Sequence, residues 1–141
     1  MRIHMGEDVY ADVLYPDRDV SKGETNAGSV IVRMVYGDSS FLLTGDAPDT
    51  VEEYLVQLDA VALDSDVLKA GHHGSRSSTA ASFLSAVTPQ TVVISAGKDN
   101  SYGHPHEEVV RRVQDAGAEL VSTMGEGTIT FTSDGTNIVR K

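Results

Sequence analysis

Three short polar clusters gather most of the residues that could hold a metal ion or move a proton. They are Thr44-Gly45-Asp46, Gly71-His72-His73-Gly74-Ser75 and Asn100-Ser101-Tyr102-Gly103-His104-Pro105-His106, and all but one of the five histidines lie in the last two. Imidazole and carboxylate are donors that suit Zn²⁺ or Mn²⁺, and with no cysteine the chain can offer no thiolate. Each cluster also has a plainer reading. Asp46 can cap a helix or form a turn, and the His72-His73 pair can be hydrogen-bonded loop histidines. His104 and Pro105 can be the cap and first residue of a helix. Ser75 to Thr79 is a hydroxyl-rich helix entry, either a simple cap or an N-terminus that binds phosphate.

Alternating strands and helices must position these clusters. Val9, Ala11, Val13 and Tyr15 recur with period two, which predicts a strand over 8–15 with those four on one face, ended by Pro16-Asp17. A polar surface loop follows to Gly28. Ser29 to Tyr36 and Ser40 to Thr44 flank Gly37-Asp38-Ser39, which predicts a hairpin whose second strand is buried on both faces. Asp49-Thr50-Val51-Glu52 has capping-box spacing and opens a helix with Val51, Tyr54, Leu55 and Leu58 inward.

A strand near 65–69 leads into the His72-His73 loop. Ser77, Ser78 or Thr79 then caps a helix that uses Ala81, Phe83, Leu84 and Val87, and Thr91 to Ser95 reads as a buried strand. Pro105 suits the first turn of a helix with Val109, Val110 and Val113 inward and Gly117 as its stop. Glu107 with Arg111 and Glu108 with Arg112 are i,i+4 pairs on its outer side. Leu120 to Thr123 and Thr128 to Thr132 are the last predicted strands. The pattern is that of a single α/β domain over 1–141, with every polar cluster at a strand end, where such folds place their sites.

Composition narrows the partners. A net charge of -10, from 21 acidic and 11 basic residues, repels polyanions and argues against a non-specific nucleic-acid sleeve. Two bound divalent ions would reverse that sign locally at a cleft. No apolar run approaches the roughly 18 residues of a membrane span, and the first residues lack the apolar core of a secretory signal. No membrane insertion is expected of this segment.

Taken in order, Asn26…Ser29-Val30-Ile31-Val32…Phe41-Leu42-Leu43-Thr44-Gly45-Asp46, Asp66-Val67-Leu68-Lys69-Ala70-Gly71-His72-His73-Gly74-Ser75-Arg76-Ser77-Ser78-Thr79 and Ile94-Ser95…Tyr102-Gly103-His104-Pro105-His106 closely resemble the metallo-β-lactamase superfamily. Within it the pattern is most similar to the C-terminal β-lactamase-like domain of the ComEC family of DNA-internalisation competence proteins, from about Val9 to Phe131. The resemblance implies the C-terminal half of an αββα sandwich, a mixed sheet with flanking helices. It implies that Asp46 bridges two metal ions and that His72 completes the second, with His73 as the alternative ligand. His73 or His104 would protonate a leaving oxygen, and Ser75 would lie near the site mouth and contact substrate.

The superfamily's first-half motif, His-x-His-x-Asp-His, has no match, and His4 stands alone. The resemblance therefore implies two Zn²⁺ or Mn²⁺ ions in a complete domain, weak or partial binding here, and a chain incomplete for catalysis. It also implies an uncovered sheet face, to be closed by a missing N-terminal half or by self-association. The implied reaction is metal-dependent hydrolysis of phosphodiester bonds in the DNA strand not taken up, by an extracytoplasmic domain of a membrane-associated competence protein. Two alternatives are a non-catalytic half-domain that binds a partner chain and a small-molecule metallo-hydrolase of the same superfamily.

Overall fold

The computed structural model describes residues Met1–Lys141. One mixed seven-stranded sheet runs in sequence order: β1 (Arg2–Gly6), β2 (Val9–Tyr15), β3 (Ile31–Tyr36), β4 (Ser39–Leu43), β5 (Val67–Lys69), β6 (Thr91–Ile94) and β7 (Glu119–Ser122). The first four strands pair antiparallel, and β4 to β7 pair parallel. The connections follow from this change. Short turns join β1 to β2 and β3 to β4, and a long loop over 16–30 joins β2 to β3, while the parallel strands need crossovers, supplied by α1 (Asp49–Asp59), α2 (Ala81–Val87) and α3 (Glu107–Asp115). A helical turn, α4 (Thr123–Glu126), follows β7, and β8 (Phe131–Ser133) pairs with β9 (Ile138–Arg140) as a separate hairpin.

The fold is the α/β arrangement with a mixed sheet that the alternation of elements predicts. All three helices pack on one face. Ile31, Leu42, Leu68, Val92 and Ile94 point into that layer and meet Val51 and Leu55 of α1, Phe83, Leu84 and Val87 of α2, and Val113 of α3. The β8–β9 hairpin covers one end of the opposite face, with Phe131 edge-on to Phe41 at 6.1 Å and the Ser133 hydroxyl 2.7 Å from that of Ser39. Beyond it, Val13, Val32, Met34 and Val93 stay half-buried and Leu43 is 41% exposed.

Several sequence expectations fail for identifiable reasons. Tyr15 does not share a face with Val9, Ala11 and Val13. A bulge between Val13 and Tyr15 turns the tyrosine into the helix-covered core beside Ile31. Neither β4 nor β6 is buried on both sides: Leu43, Thr91 and Val93 lie on the open face. Leu58, expected inward, is 57% exposed, and the inward contact at this end of α1 is made by Leu63 of the turn that follows.

The Glu108–Arg112 pair does not form, since Arg112 turns to the carbonyls of Arg76, Ser78 and Thr79 and Glu108 lies nearer Arg76; Glu107–Arg111 forms at 2.5 Å. The strand expected over 128–132 covers Phe131–Ser133 instead, because residues 128–130 form a bend and an irregular stretch, and Thr123, expected to end the preceding strand, opens α4. Strand β1 escapes the pattern because every residue in it is exposed. It is held by edge pairing and a two-point Arg2–Asp12 contact, both at 2.7 Å.

Candidate active site

Parallel strands β4, β5 and β6 end side by side, and the three polar clusters leave from those ends. The loop after β4 carries Asp46 and is tied down at both neighbours: the Thr44 hydroxyl donates to the Lys69 carbonyl at 2.9 Å, and the Asp46 amide donates to the Ser29 hydroxyl at 3.2 Å. The loop after β5 carries the histidine pair. Its His72 amide donates to the Gly45 carbonyl at 3.0 Å, locking the two loops together.

His72, His73 and Gly74 all adopt left-handed backbone, with φ of 46°, 57° and 83°. For the two histidines this costs roughly 1–2 kcal/mol each, and such strain collects where a loop must aim its side chains. Gly74 is required: a Cβ there would sit 2.7 Å from that of Pro105. The tight approach of these two loops brings the third cluster to the same edge.

The strained turn sends the two rings to different neighbours. His73 Nδ1 donates to the Ser95 carbonyl at 2.6 Å, which leaves Nε2 facing the Asp46 carboxylate at 3.8 Å. In the neutral ring that Nε2 is a bare lone pair, so two acceptors confront each other across a gap suited to a proton or a cation. His72 lies edge-on to His104, ring centroids 5.6 Å apart, and His104 lies 4.9 Å from His106. Partial burial first, then the neighbouring imidazoles of His106, His72 and His73, depress the pKa of His104, so its ring is neutral near pH 7. Lys69 donates to the Gly45 carbonyl at 3.3 Å, and burial lowers its pKa against the opposing pull of Asp46.

Of the five residues singled out in the sequence, Asp46, His72, His73 and His104 therefore meet at one edge, with His73 the histidine beside Asp46. Ser75 is buried next to them, its hydroxyl 3.1 Å from that of Ser77. The chemistry of these donors suits a divalent ion, but their number falls short. No three His, Asp or Glu side chains converge into a group able to hold one, whereas zinc sites normally use three or four protein ligands.

Several supporting residues were misjudged or missed. Ser78 and Thr79 do not cap α2: the Ser78 hydroxyl donates to the Ala47 carbonyl at 2.8 Å, and that of Thr79 accepts from the Gly71 amide at 3.1 Å. Glu52 forms no capping box with Asp49. It is fully buried and accepts the Thr79 and Ala80 amides at 2.7 and 2.9 Å, joining α1 to the far end of the histidine loop. Burial pushes its pKa up to about 7 against those two hydrogen bonds. Pro105 lies outside α3, whose cap position is His106, and the His106 ring accepts the Arg76 amide at 3.1 Å. Asn100 pins the third cluster, donating to the His104 carbonyl and accepting the His104 amide. Its place four residues before His104 was the available signal.

The same stretch of chain recurs in longer proteins. It is 35% identical over 125 residues to ComE operon protein 3 of Bacillus subtilis, covering 89% of the chain. It is 41% identical over 108 residues, 77% of the chain, to competence protein ComA of Neisseria gonorrhoeae. Identity to recombination protein 2 of Haemophilus influenzae is 33% over 129 residues, 89% of the chain. The chain is related to competence proteins. This competence-protein relative spans only 16% of the length of each of those three. No family model matches it.

Proposed function

We propose that this chain supplies one part of a phosphodiester-hydrolysing site that serves DNA uptake. The observation that carries the reading is the meeting of Asp46, His72, His73 and His104 at the shared ends of β4, β5 and β6. The order and spacing of the motifs around them, which resemble the metallo-β-lactamase superfamily, supply the reaction class. Relatives named for competence and recombination support a role in DNA uptake, and DNA as the substrate and a membrane-associated setting are what the resemblance implies. No helix of this chain is long and apolar enough to cross a membrane.

In this reading His73, steadied by Ser95 and facing Asp46, and His104 exchange protons with an attacking water and a leaving oxygen. Any Zn²⁺ or Mn²⁺ site needs further ligands from outside these 141 residues. Backbone amide NMR with a short oligodeoxynucleotide tests the placement. Shifts are expected in residues 44–47, 71–76 and 100–106, with the β8–β9 hairpin unaffected. Shifts centred elsewhere, or none at millimolar oligonucleotide, would overturn the reading.

The half-open sheet face favours a second reading, in which the chain acts by binding a covering segment. The two are compatible, because the segment that covers the face is a natural source of the missing ligands.

A further inference from the structure

Resting on the phosphodiester reading, we propose that Tyr102 and the cavity beside it form a stacking site for an unpaired nucleobase. The Tyr102 ring is 77% exposed, yet it is not free: it lies nearly parallel to His104, at 24° and 5.7 Å between centroids. Asn100 fixes the loop beneath it, donating to the carbonyls of Gly97 and His104 at 2.8 and 2.7 Å and accepting the His104 amide at 2.9 Å. An aromatic face held ready in solvent avoids much of the ordering cost that a flexible side chain meets on binding.

Beside it opens a cavity of about 450 Å³ whose wall includes His73, Ser95, Asn100, Tyr102, His104 and Thr123. The volume is in the range of small-molecule pockets. The wall carries no carboxylate, although the chain as a whole has a net charge of -10. An anionic strand can therefore enter here with less repulsion than over the rest of the surface.

Several polar groups of the wall are already paired. Ser95 offers its carbonyl to His73, Asn100 is fully engaged, and the Thr123 hydroxyl donates to the Ala96 carbonyl and accepts its amide. The contact offered by Tyr102 is the face of its ring, so recognition is by stacking and indifferent to base identity. Bases in a duplex already stack on each other; only an unpaired one offers a free face. His104, between Tyr102 and His72, then places the neighbouring phosphate toward the Asp46–His73 gap.

Fluorescence anisotropy with a labelled oligothymidylate and an abasic oligomer of equal length tests this on the full chain. Tyr102→Ala should weaken oligothymidylate binding by about tenfold, the usual order for one lost base–aromatic stack. Tyr102→Phe should bind as the native chain does, and the abasic oligomer should bind the native chain as weakly as oligothymidylate binds Tyr102→Ala. If Tyr102→Ala changes nothing, or if the abasic oligomer binds as well as oligothymidylate, the stacking site is wrong while the phosphodiester reading stands. If neither oligomer binds the native chain, both fall.

Discussion

The two faces of the sheet are made by alternate residues of the same strands, and their fates diverge within single steps along the chain. Leu42 is sealed under the helices while Leu43 is exposed; Leu68 is sealed while Lys69 is half-buried; Val92 is sealed while Val93 is not. The helix-covered face is a finished core. On the opposite face only the β8–β9 hairpin provides cover, and apolar side chains beyond it stay partly in water. A polar outer face would need no explanation, but Val13, Val32, Met34, Leu43 and Val93 make this one apolar, as a sheet face built to be covered is. The candidate active site lies where β4, β5 and β6 end, at the border between the two faces.

Truncation should separate the faces most sharply. Leu68→Ala, in the sealed layer, is expected to cost about 3 kcal/mol, within the usual range for a fully buried leucine. Val93→Ala, on the other face of the neighbouring strand, should cost about 1 kcal/mol or less. Urea melts of both variants check this. Equal losses would mean that the second face is as closed as the first.

Glu52 gives an effect of similar size in a different variable. Its folded pKa, about 7, lies above the ordinary carboxylate value, so between roughly pH 4.5 and 7 the folded chain holds a proton that the unfolded chain has released. That contribution to stability is complete below the unfolded pKa and is lost as pH rises through 7, about 3 kcal/mol in all. Glu52→Gln cannot titrate. The stability difference between native chain and variant should therefore change in the native chain's favour by this order as pH falls from 7.5 to 4.5. A difference that is flat with pH would show that the two backbone amides hold the carboxylate at an ordinary pKa.

These same residues show what could be read beforehand. Asp46, the histidine pair and His104 were legible because strand ends were marked by Gly and because imidazoles clustered there. The α/β order was legible from hydrophobic period alone. Glu52 was not. Its spacing from Asp49 imitates a capping box, and only the packing of α1 against the 75–80 segment reveals that it serves a distant loop. Tyr15 was misplaced because a bulge reverses faces without leaving a mark in the alternation. Which histidine meets Asp46 also lay beyond sequence, since the left-handed turn at His72 and His73 decides it.

A smaller effect on stability, but a clear one on association, is expected from the open face. Leu43→Lys should change stability by no more than about 0.5 kcal/mol, the usual limit for exposed positions. Light scattering at micromolar concentration should show the native chain as a dimer or larger species and the variant shifted toward monomer. A native chain that is strictly monomeric and binds no hydrophobic dye would contradict the picture of a face awaiting cover.

The central claim is that Asp46 and the histidines are a fragment of a site rather than a whole one, and calorimetric titration of Zn²⁺ and of Mn²⁺ into the dialysed chain tests it most directly. The expected result is weak binding, in the micromolar range or poorer because fewer than three ligands converge, with at most one ion per chain and loss of the signal in Asp46→Ala. Two ions bound per chain with nanomolar affinity would show that these 141 residues complete the site unaided.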